Sequence, residues 1–253
     1  MRPNQLNSSR GERFMTTHDF TGKRVFVTGA ASGIGAAAVD LFRARGAVVT
    51  ATDIIEVDGF VRCDVTDPDS VATAMAIATD AMGGLDVCVN VAGIDIMSPF
   101  EGLTVELLQR HFAVNVTGPM LVTQAALPHL RASKGNVVTV ASISGLQGGA
   151  YNAAYCASKG GVLLLMKSLA MELAGEGIRV NCVCPGGVDT PLRTSVESSV
   201  PAQAEWRLFD RMTELMPGLS APSEIAAAIA YLASDDARSI TGASLVIDRG
   251  ALL

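Results

Sequence analysis

The sequence predicts an α/β fold, a doubly wound, seven-stranded parallel sheet with helices on both faces, in a single domain. Three observations carry this. Short β-rich runs alternate with helical runs along most of the chain, the order that demands parallel strands joined by crossover helices. The β-rich runs are apolar nearly throughout, as strands covered on both faces require. At 253 residues, 49% of them hydrophobic, the chain suits one core of ordinary size and leaves little for a second domain.

Strands are read at 25–28, 47–52, 60–63, 85–90, 136–141, 178–184 and 243–247, and helices at 34–45, 68–82, 105–131, 153–174 and 222–233. One interval is short. About seven residues separate the second strand from the third, too few for a crossover helix, so a turn or loop is expected after Asp53. Residues 1–20 are polar and aperiodic and are expected to form a mobile tail, with Met15 as an alternative start; the domain proper is placed at 21–253.

Composition narrows the function. A net charge of −6 and the lack of any Lys/Arg run argue against nucleic-acid binding. No apolar stretch is long enough for a bilayer, and residues 1–20 lack the apolar segment of a secretory signal, so a cytoplasmic location is expected. The cysteines, Cys63, Cys88, Cys156, Cys182 and Cys184, are odd in number and mostly set in apolar runs, which reads as buried thiols. Cys182 and Cys184 are placed on opposite faces of their strand, and no metal site is expected.

The first strand runs directly into Thr28-Gly29-Ala30-Ala31-Ser32-Gly33-Ile34-Gly35 and then a helix. Glycines at a strand-to-helix turn let a diphosphate reach bare backbone N–H groups and the positive helix end, the Rossmann-type arrangement for a dinucleotide. Asp53, eighteen residues past Gly35, ends the second strand, where a carboxylate accepts hydrogen bonds from both adenosine ribose hydroxyls and repels a 2′-phosphate. No Arg or Lys stands at Ala30, Ala31, Ser32 or Ile54, so NAD is favoured over NADP; a turn cap is the plainer reading of Asp53. Asp64 and Val65 after the third strand are candidates to meet the adenine, against a simple helix cap before Pro68. In Asn90-Val91-Ala92-Gly93, after the fourth strand, Asn90, Ala92 and Gly93 are candidate cofactor contacts, since small residues there admit a close neighbour; a tight strand exit is the alternative.

Chemistry is expected from Tyr155-Cys156-Ala157-Ser158-Lys159, where Tyr155 and Lys159, four apart on a helix, share a face. A free phenol titrates near 10, and work as a base near neutrality needs a depression of about two to three units, for which Lys159 and a positive nicotinamide ring are the sources. Ser142, closing the fifth strand, is placed to hold a substrate oxygen beside the phenol. Singly, each of the three has an ordinary explanation in a turn, in packing or on a solvated helix face. Their convergence with the glycine turn is what points to catalysis.

These separated motifs, in this order and spacing, resemble the classical short-chain dehydrogenase/reductase family from about Lys23 to the C-terminus. The likeness rests on the glycine turn, Asn90-Val91-Ala92-Gly93, Asn115, Ser142, Tyr155 with Lys159, and Pro185-Gly186 followed by Val188 and Thr190. It implies Tyr155 as general acid/base, Ser142 as substrate holder, Lys159 on the nicotinamide ribose and Asn115 holding a proton-relay water. It further implies cofactor contacts from Pro185, Gly186, Val188 and Thr190, the last at the diphosphate, with Ile34 lining the turn. Three features depart from the family pattern: Val91 stands for a second Asn, the segment after Asp53 is short, and Asp248-Arg249-Gly250 alters the C-terminal turn.

The expected activity is NAD-dependent hydride transfer between a secondary alcohol, or the matching ketone, and nicotinamide, on a small or medium cyclic or hydroxylated substrate. Segments 94–100, 143–152 and 188–218 follow strands and are expected to shape the pocket, the last as a lid. Ile96, Met97, Leu146, Leu192, Leu208, Phe209 and Met212 are its expected apolar lining and Gln147, Tyr151 and Asn152 its polar contacts, with helix packing the alternative for the lid residues. The rival enzyme is a 3-oxoacyl thioester reductase, disfavoured by Asp53 and by an acidic chain facing an acidic carrier. The rival from another class is a non-catalytic NAD-binding sensor or scaffold. The resemblance also implies a homo-oligomer, a tetramer ahead of a dimer, through the helices at 105–131 and 153–174.

Overall fold

The computed structural model of the protein describes residues 18–209 and 215–253. Seven parallel strands, β1 (Arg24–Val27), β2 (Val48–Asp53), β3 (Val61–Arg62), β4 (Val87–Asn90), β5 (Asn136–Val140), β6 (Arg179–Pro185) and β7 (Ser244–Ile247), form one sheet in the order β3-β2-β1-β4-β5-β6-β7. The helices are α1 (Gly33–Ala44), α2 (Pro68–Met82), α3 (Val105–Phe112), α4 (Gly118–Ser133), α5 (Ala153–Leu173), α6 (Pro191–Ser199) and α7 (Pro222–Ala233). The expected doubly wound sheet is observed, and the short link from β2 to β3 is a loop, leaving β3 a two-residue strand at the sheet edge.

The two-residue period of a strand sorts side chains into two cores. Val25 and Val27 of β1 pack with Val39, Phe42, Ile225 and Ile229 of α1 and α7. Phe26, between them, faces the opposite layer with Met75 of α2, Leu130 of α4 and Met166 of α5. Cys182 and Cys184 join that second layer together, with Val183 on the other side, which corrects the expectation that they face apart. Residues two apart on a strand must share a face. No metal-binding cluster of His, Cys, Asp or Glu occurs among the described residues, and none of their helices is long and apolar enough to cross a membrane.

Two boundaries differ from expectation. Phe20, placed in the tail, is 1% exposed and meets Phe42 edge to face at a centroid distance of 4.8 Å, so ordered packing begins before residue 21. Residues 1–17, the rest of that expected tail, and Met212 lie outside the described residues. The helix expected across 105–131 is interrupted by a π-turn at Ala113–Thr117. Pro119 has no N–H for the carbonyl four residues back and its ring crowds that carbonyl, which favours an irregular turn here, although α4 continues through Pro128.

The far end of the sheet is closed by polar ties. Asn136 donates to the Ala233 carbonyl at 3.0 Å, while Arg179 donates to the carbonyls of Leu232 at 2.6 Å and Ser234 at 3.1 Å, capping the last turn of α7. Arg24 and Asp86 form a two-pronged pair, 2.8 and 3.0 Å, that joins the starts of β1 and β4. The carboxyl ends of all the strands lie on the opposite edge. Removing the Phe20 ring tests the revised boundary: Phe20→Ala is expected to cost about 3–5 kcal/mol of unfolding free energy in urea titration, where a tail residue would cost nothing measurable.

Candidate active site

β1 and β4 are sheet neighbours at the point where the chain reverses its direction across the sheet, and a crevice at such a switch point is where open α/β sheets bind ligands. The glycine turn occupies it, and two of its glycines are dictated by space. A methyl group at Gly35 would run into the Gly29 carbonyl, and one at Gly29 would lie 2.7 Å from the Ala92 nitrogen. The Thr28 hydroxyl accepts hydrogen bonds from the N–H groups of Val91 and Ala92 at 3.1 and 3.2 Å, locking the turn to the exit of β4. Ser32 is the first residue before α1 and its side chain caps nothing, so the leading N–H groups at Gly33, Ile34 and Gly35 keep no partner within the helix. A methyl on Gly33 would lie 2.9 Å from Thr190 Cγ2, which brings Thr190 over the turn.

Asp53 reaches this turn from β2. One carboxylate oxygen accepts from the Ala31 N–H at 2.9 Å and the other from the Ile55 N–H at 3.0 Å, so Asp53 does cap the turn, and each oxygen retains a lone pair for a hydroxyl. The sheet register sets Arg62 of β3 opposite Asp53, a neighbouring cation that inspection of the turn residues missed because it depends on strand pairing. Asp64 accepts from both the N–H and the hydroxyl of Thr66, at 2.9 and 2.7 Å, whereas the cap of α2 is Asp67. Val65 is buried against Gly118. The Asn90 amide is committed elsewhere, donating to Thr123 and Thr139 at 3.2 Å each, and so ties β4 to α4 and β5. Gly186, after Pro185, sits against Asp248 with no room for a side chain. Val188 forms a lone bridge with Ser220, and Thr190 caps α6.

Beside the turn, Ser142, Tyr155, Lys159 and Asn115 are brought together, all buried. Ser142 caps a short 3₁₀ turn, accepting from the Ser144 N–H at 3.1 Å, and its hydroxyl is close enough to the Tyr155 phenol to lower its pKa. Lys159 donates to the Val140 carbonyl at 3.0 Å, with its ammonium 5.6 Å from the centre of the Tyr155 ring. A methyl on Gly93 would lie 3.2 Å from Asn115 Oδ1 and 3.4 Å from Lys159 Nζ, so this glycine fits directly against both.

Asn115 sits in the π-turn, whose irregular carbonyl pattern turns its amide inward. It accepts from the Ile94 N–H and donates to the Ile94 carbonyl, both at 2.9 Å, and donates to the Ser158 hydroxyl at 3.0 Å. His111, which sequence reading did not single out, accepts from the Ile96 N–H at 3.1 Å through Nε2 and contacts the Leu107 carbonyl at 2.9 Å through Nδ1. Those partners demand the neutral ring with its proton on Nδ1, in keeping with a pKa lowered by burial against the opposing pull of the Leu107 carbonyl. Together Asn115 and His111 fix the backbone on both sides of Asp95.

The electrostatics correct one expectation. Burial pushes the Tyr155 phenol up, the Asp95 charge pushes it further, and only the Ser142 hydrogen bond opposes them. Lys159 is not among the groups that lower it, and burial pulls the ammonium itself down to about 8, against the attraction of Asp95. The protein groups alone therefore hold the phenol protonated. Burial raises Asp95 to about 6 against a hydrogen bond from Asn152 and the charge of Lys159.

The loops above these residues also depart from the sequence reading. The Tyr151 hydroxyl accepts from the Glu205 N–H at 3.0 Å and its ring stacks on Phe209 at 5.9 Å, so it latches the segment after α6. Leu146, Leu192 and Leu208 are exposed, and Ile96 and Met97 half-buried. Asn152 donates to Asp95 at 3.4 Å. Among the described residues, Gln147 Nε2, Asn152 Oδ1 and Asp95 Oδ1 are buried without a partner.

Known proteins share this architecture. The family model described as enoyl-(acyl carrier protein) reductase matches residues 29–251. Cis-4-hydroxycyclohexanecarboxylate dehydrogenase of Sinomonas cyclohexanicum is 40% identical over 91% of this chain and 97% of its own. A 2,5-dichloro-2,5-cyclohexadiene-1,4-diol dehydrogenase of Sphingobium indicum is 37% identical over 90% of this chain and 96% of its own. The crystal structure of a short-chain type dehydrogenase/reductase from Mycobacterium marinum superposes with a TM-score of 0.84 at 32% identity, covering 92% of this chain and 97% of that one.

The raised Asp95 pKa has a consequence for stability. Between its ordinary 3.8 and about 6 the folded protein holds a proton that the unfolded chain releases, so this contribution is full below that window and is lost as pH rises through it. Asp95→Asn lacks this titration, and its unfolding free energy relative to wild type should climb from pH 4 to pH 6 by at most about 1.4 kcal/mol per pH unit. Paired urea titrations read it directly; parallel curves would mean that Asp95 is not buried as described.

Proposed function

The chain belongs to the classical short-chain dehydrogenase/reductase family, and we propose that it is an NAD-dependent oxidoreductase moving a hydride between a small or medium, cyclic or hydroxylated secondary alcohol and its ketone. The observation that carries this reading is the convergence of Ser142, Tyr155 and Lys159 beside a glycine turn that leaves helix N–H groups unpaired. The cyclic alcohols and diols in the names of the relatives support the substrate class.

The residues present fit a dinucleotide. The first N–H groups of α1, in a cradle that added methyl groups would fill at Gly29, Gly33 and Gly35, suit a diphosphate. The free lone pairs of Asp53 suit the ribose diol, and Lys159, with Asn115 behind it, suits the second ribose. Asp53 and the exposed side chain of Arg62 pull in opposite directions on a 2′-phosphate. Asp53 is the nearer to the turn, through its bond to Ala31, and favours NAD. The bound nicotinamide supplies the hydride acceptor or donor.

In oxidation the Tyr155 oxygen takes the hydroxyl proton as the carbinol carbon gives up hydride, and in reduction the phenol returns the proton to the ketone oxygen. Ser142 holds that same oxygen by a hydrogen bond in both directions. A protonated phenol is ready for reduction as it stands. Oxidation needs the phenol pKa brought down, which a cationic ring and Lys159 drawn from Val140 would both favour. Asn115 keeps Ile94, and with it the wall of the pocket, in place.

Tyr155→Phe is expected to lower kcat by at least about 100-fold while NAD still binds with unchanged affinity by calorimetry; full activity in this variant would remove Tyr155 as acid/base. Asp53→Ala should narrow the ratio of kcat/KM for NAD over NADP by about tenfold or more, since one charged hydrogen-bond partner is lost for the first and one repulsion for the second. A ratio that stays put would assign cofactor choice to other groups.

A further inference from the structure

Asp95 is a buried carboxylate of the site that the proton chemistry does not use. It lies in the wall after β4, 8% exposed, with its backbone neighbours held on one side by Asn115 and on the other by His111. One carboxylate oxygen receives a long bond from Asn152 at 3.4 Å; the other has no partner among the described residues, and neither has the Asn152 Oδ1 beside it. Asn152 directly precedes the helix that carries Tyr155 and Lys159, and the ring of His111, which holds Ile96, lies 6.4 Å from that of Tyr155, so Asp95 adjoins the catalytic cluster.

A buried acceptor without a donor is a cost that folding does not require. Two of them side by side, on a backbone clamped at both flanks, form a prepared acceptor pair. Its complement is a hydroxyl carried by the substrate away from the reacting carbon. A carboxylate brought to the same place would meet a like charge in a poorly solvated site.

We propose that Asp95, with Asn152, forms a specificity subsite that accepts a second hydroxyl of a neutral diol or polyol and turns away substrates bearing a carboxylate at that position. This rests on the alcohol-oxidation reading above and names the substrate class within it. Asp95 is a specificity-determining residue here, and Ser142 and Tyr155 keep the reacting oxygen.

The test measures kcat and KM with NAD for cyclohexanol, cyclohexane-1,2-diol, cyclohexane-1,4-diol and 4-hydroxycyclohexanecarboxylate. The wild type is expected to favour at least one diol over cyclohexanol by about tenfold or more in kcat/KM, and to use the carboxylate less well than cyclohexanol. In Asp95→Ala the diol-to-cyclohexanol ratio should fall toward one, through a raised KM for the diol. Asp95→Asn, which keeps an acceptor and the shape, should retain part of the diol preference while admitting the carboxylate. A wild type indifferent to the second hydroxyl, or a ratio that Asp95→Ala leaves in place, overturns the subsite; so does an equal fall for every substrate through kcat alone, which would make Asp95 an electrostatic neighbour of Tyr155 only. Failure of the underlying reading looks different: no Tyr155-dependent turnover of any alcohol or ketone by the wild type.

Discussion

Parallel strand pairing is the constraint on which the site rests. Because all seven strands run one way, the residues that end them reach a single edge of the sheet: Thr28, Asp53, Asn90, Ser142 and Gly186 come from separate parts of the chain and arrive together. The opposite edge is closed by Arg24 with Asp86, and by Asn136 and Arg179 on the end of α7. Arg24, Asp86, Asn136 and Arg179 tie the strand starts into the protein, while at the carboxyl ends the first N–H groups of α1 have no partner within the helix. That division of labour comes from topology, and the glycine turn is where it becomes chemistry.

The site is electrostatically uneasy. A phenol, an ammonium and a carboxylate are buried close together, and burial drives each toward its neutral form: the Tyr155 phenol up, Lys159 down to about 8 and Asp95 up to about 6. Lys159 and Asp95 are thereby brought toward neutrality, while the Tyr155 phenol is held protonated. They are held in place by rigid means, since Asn115 bonds both backbone groups of Ile94 and His111 holds Ile96. The π-turn between α3 and α4 carries the Asn115 that makes these bonds to Ile94.

Much of this could be read directly from the chain. Strand and helix alternation gave the sheet, the short span after Asp53 gave the loop before β3, and the four-residue spacing of Tyr155 and Lys159 put both on one helix face. Other features could not be read. Tyr151, expected at the substrate, instead latches Glu205 and Phe209, a contact between residues far apart in sequence. The pairing of Asp53 with Arg62 follows from sheet register, and the commitment of the Asn90 amide to Thr123 and Thr139 follows from how α4 packs on the sheet.

By itself the sequence determined the period of each element and the glycines of the turn, because these depend on local sterics and on the spacing of apolar residues along a few turns of chain. Tertiary structure alone decided the charge states at the centre. Whether Tyr155 is depressed or raised, and whether Asp95 is a solvated acid or a buried acceptor without a donor, depends on how much water the fold removes from each group and on which opposite charge it brings near. Burial and proximity are properties of the packed molecule, and no spacing along the chain encodes them.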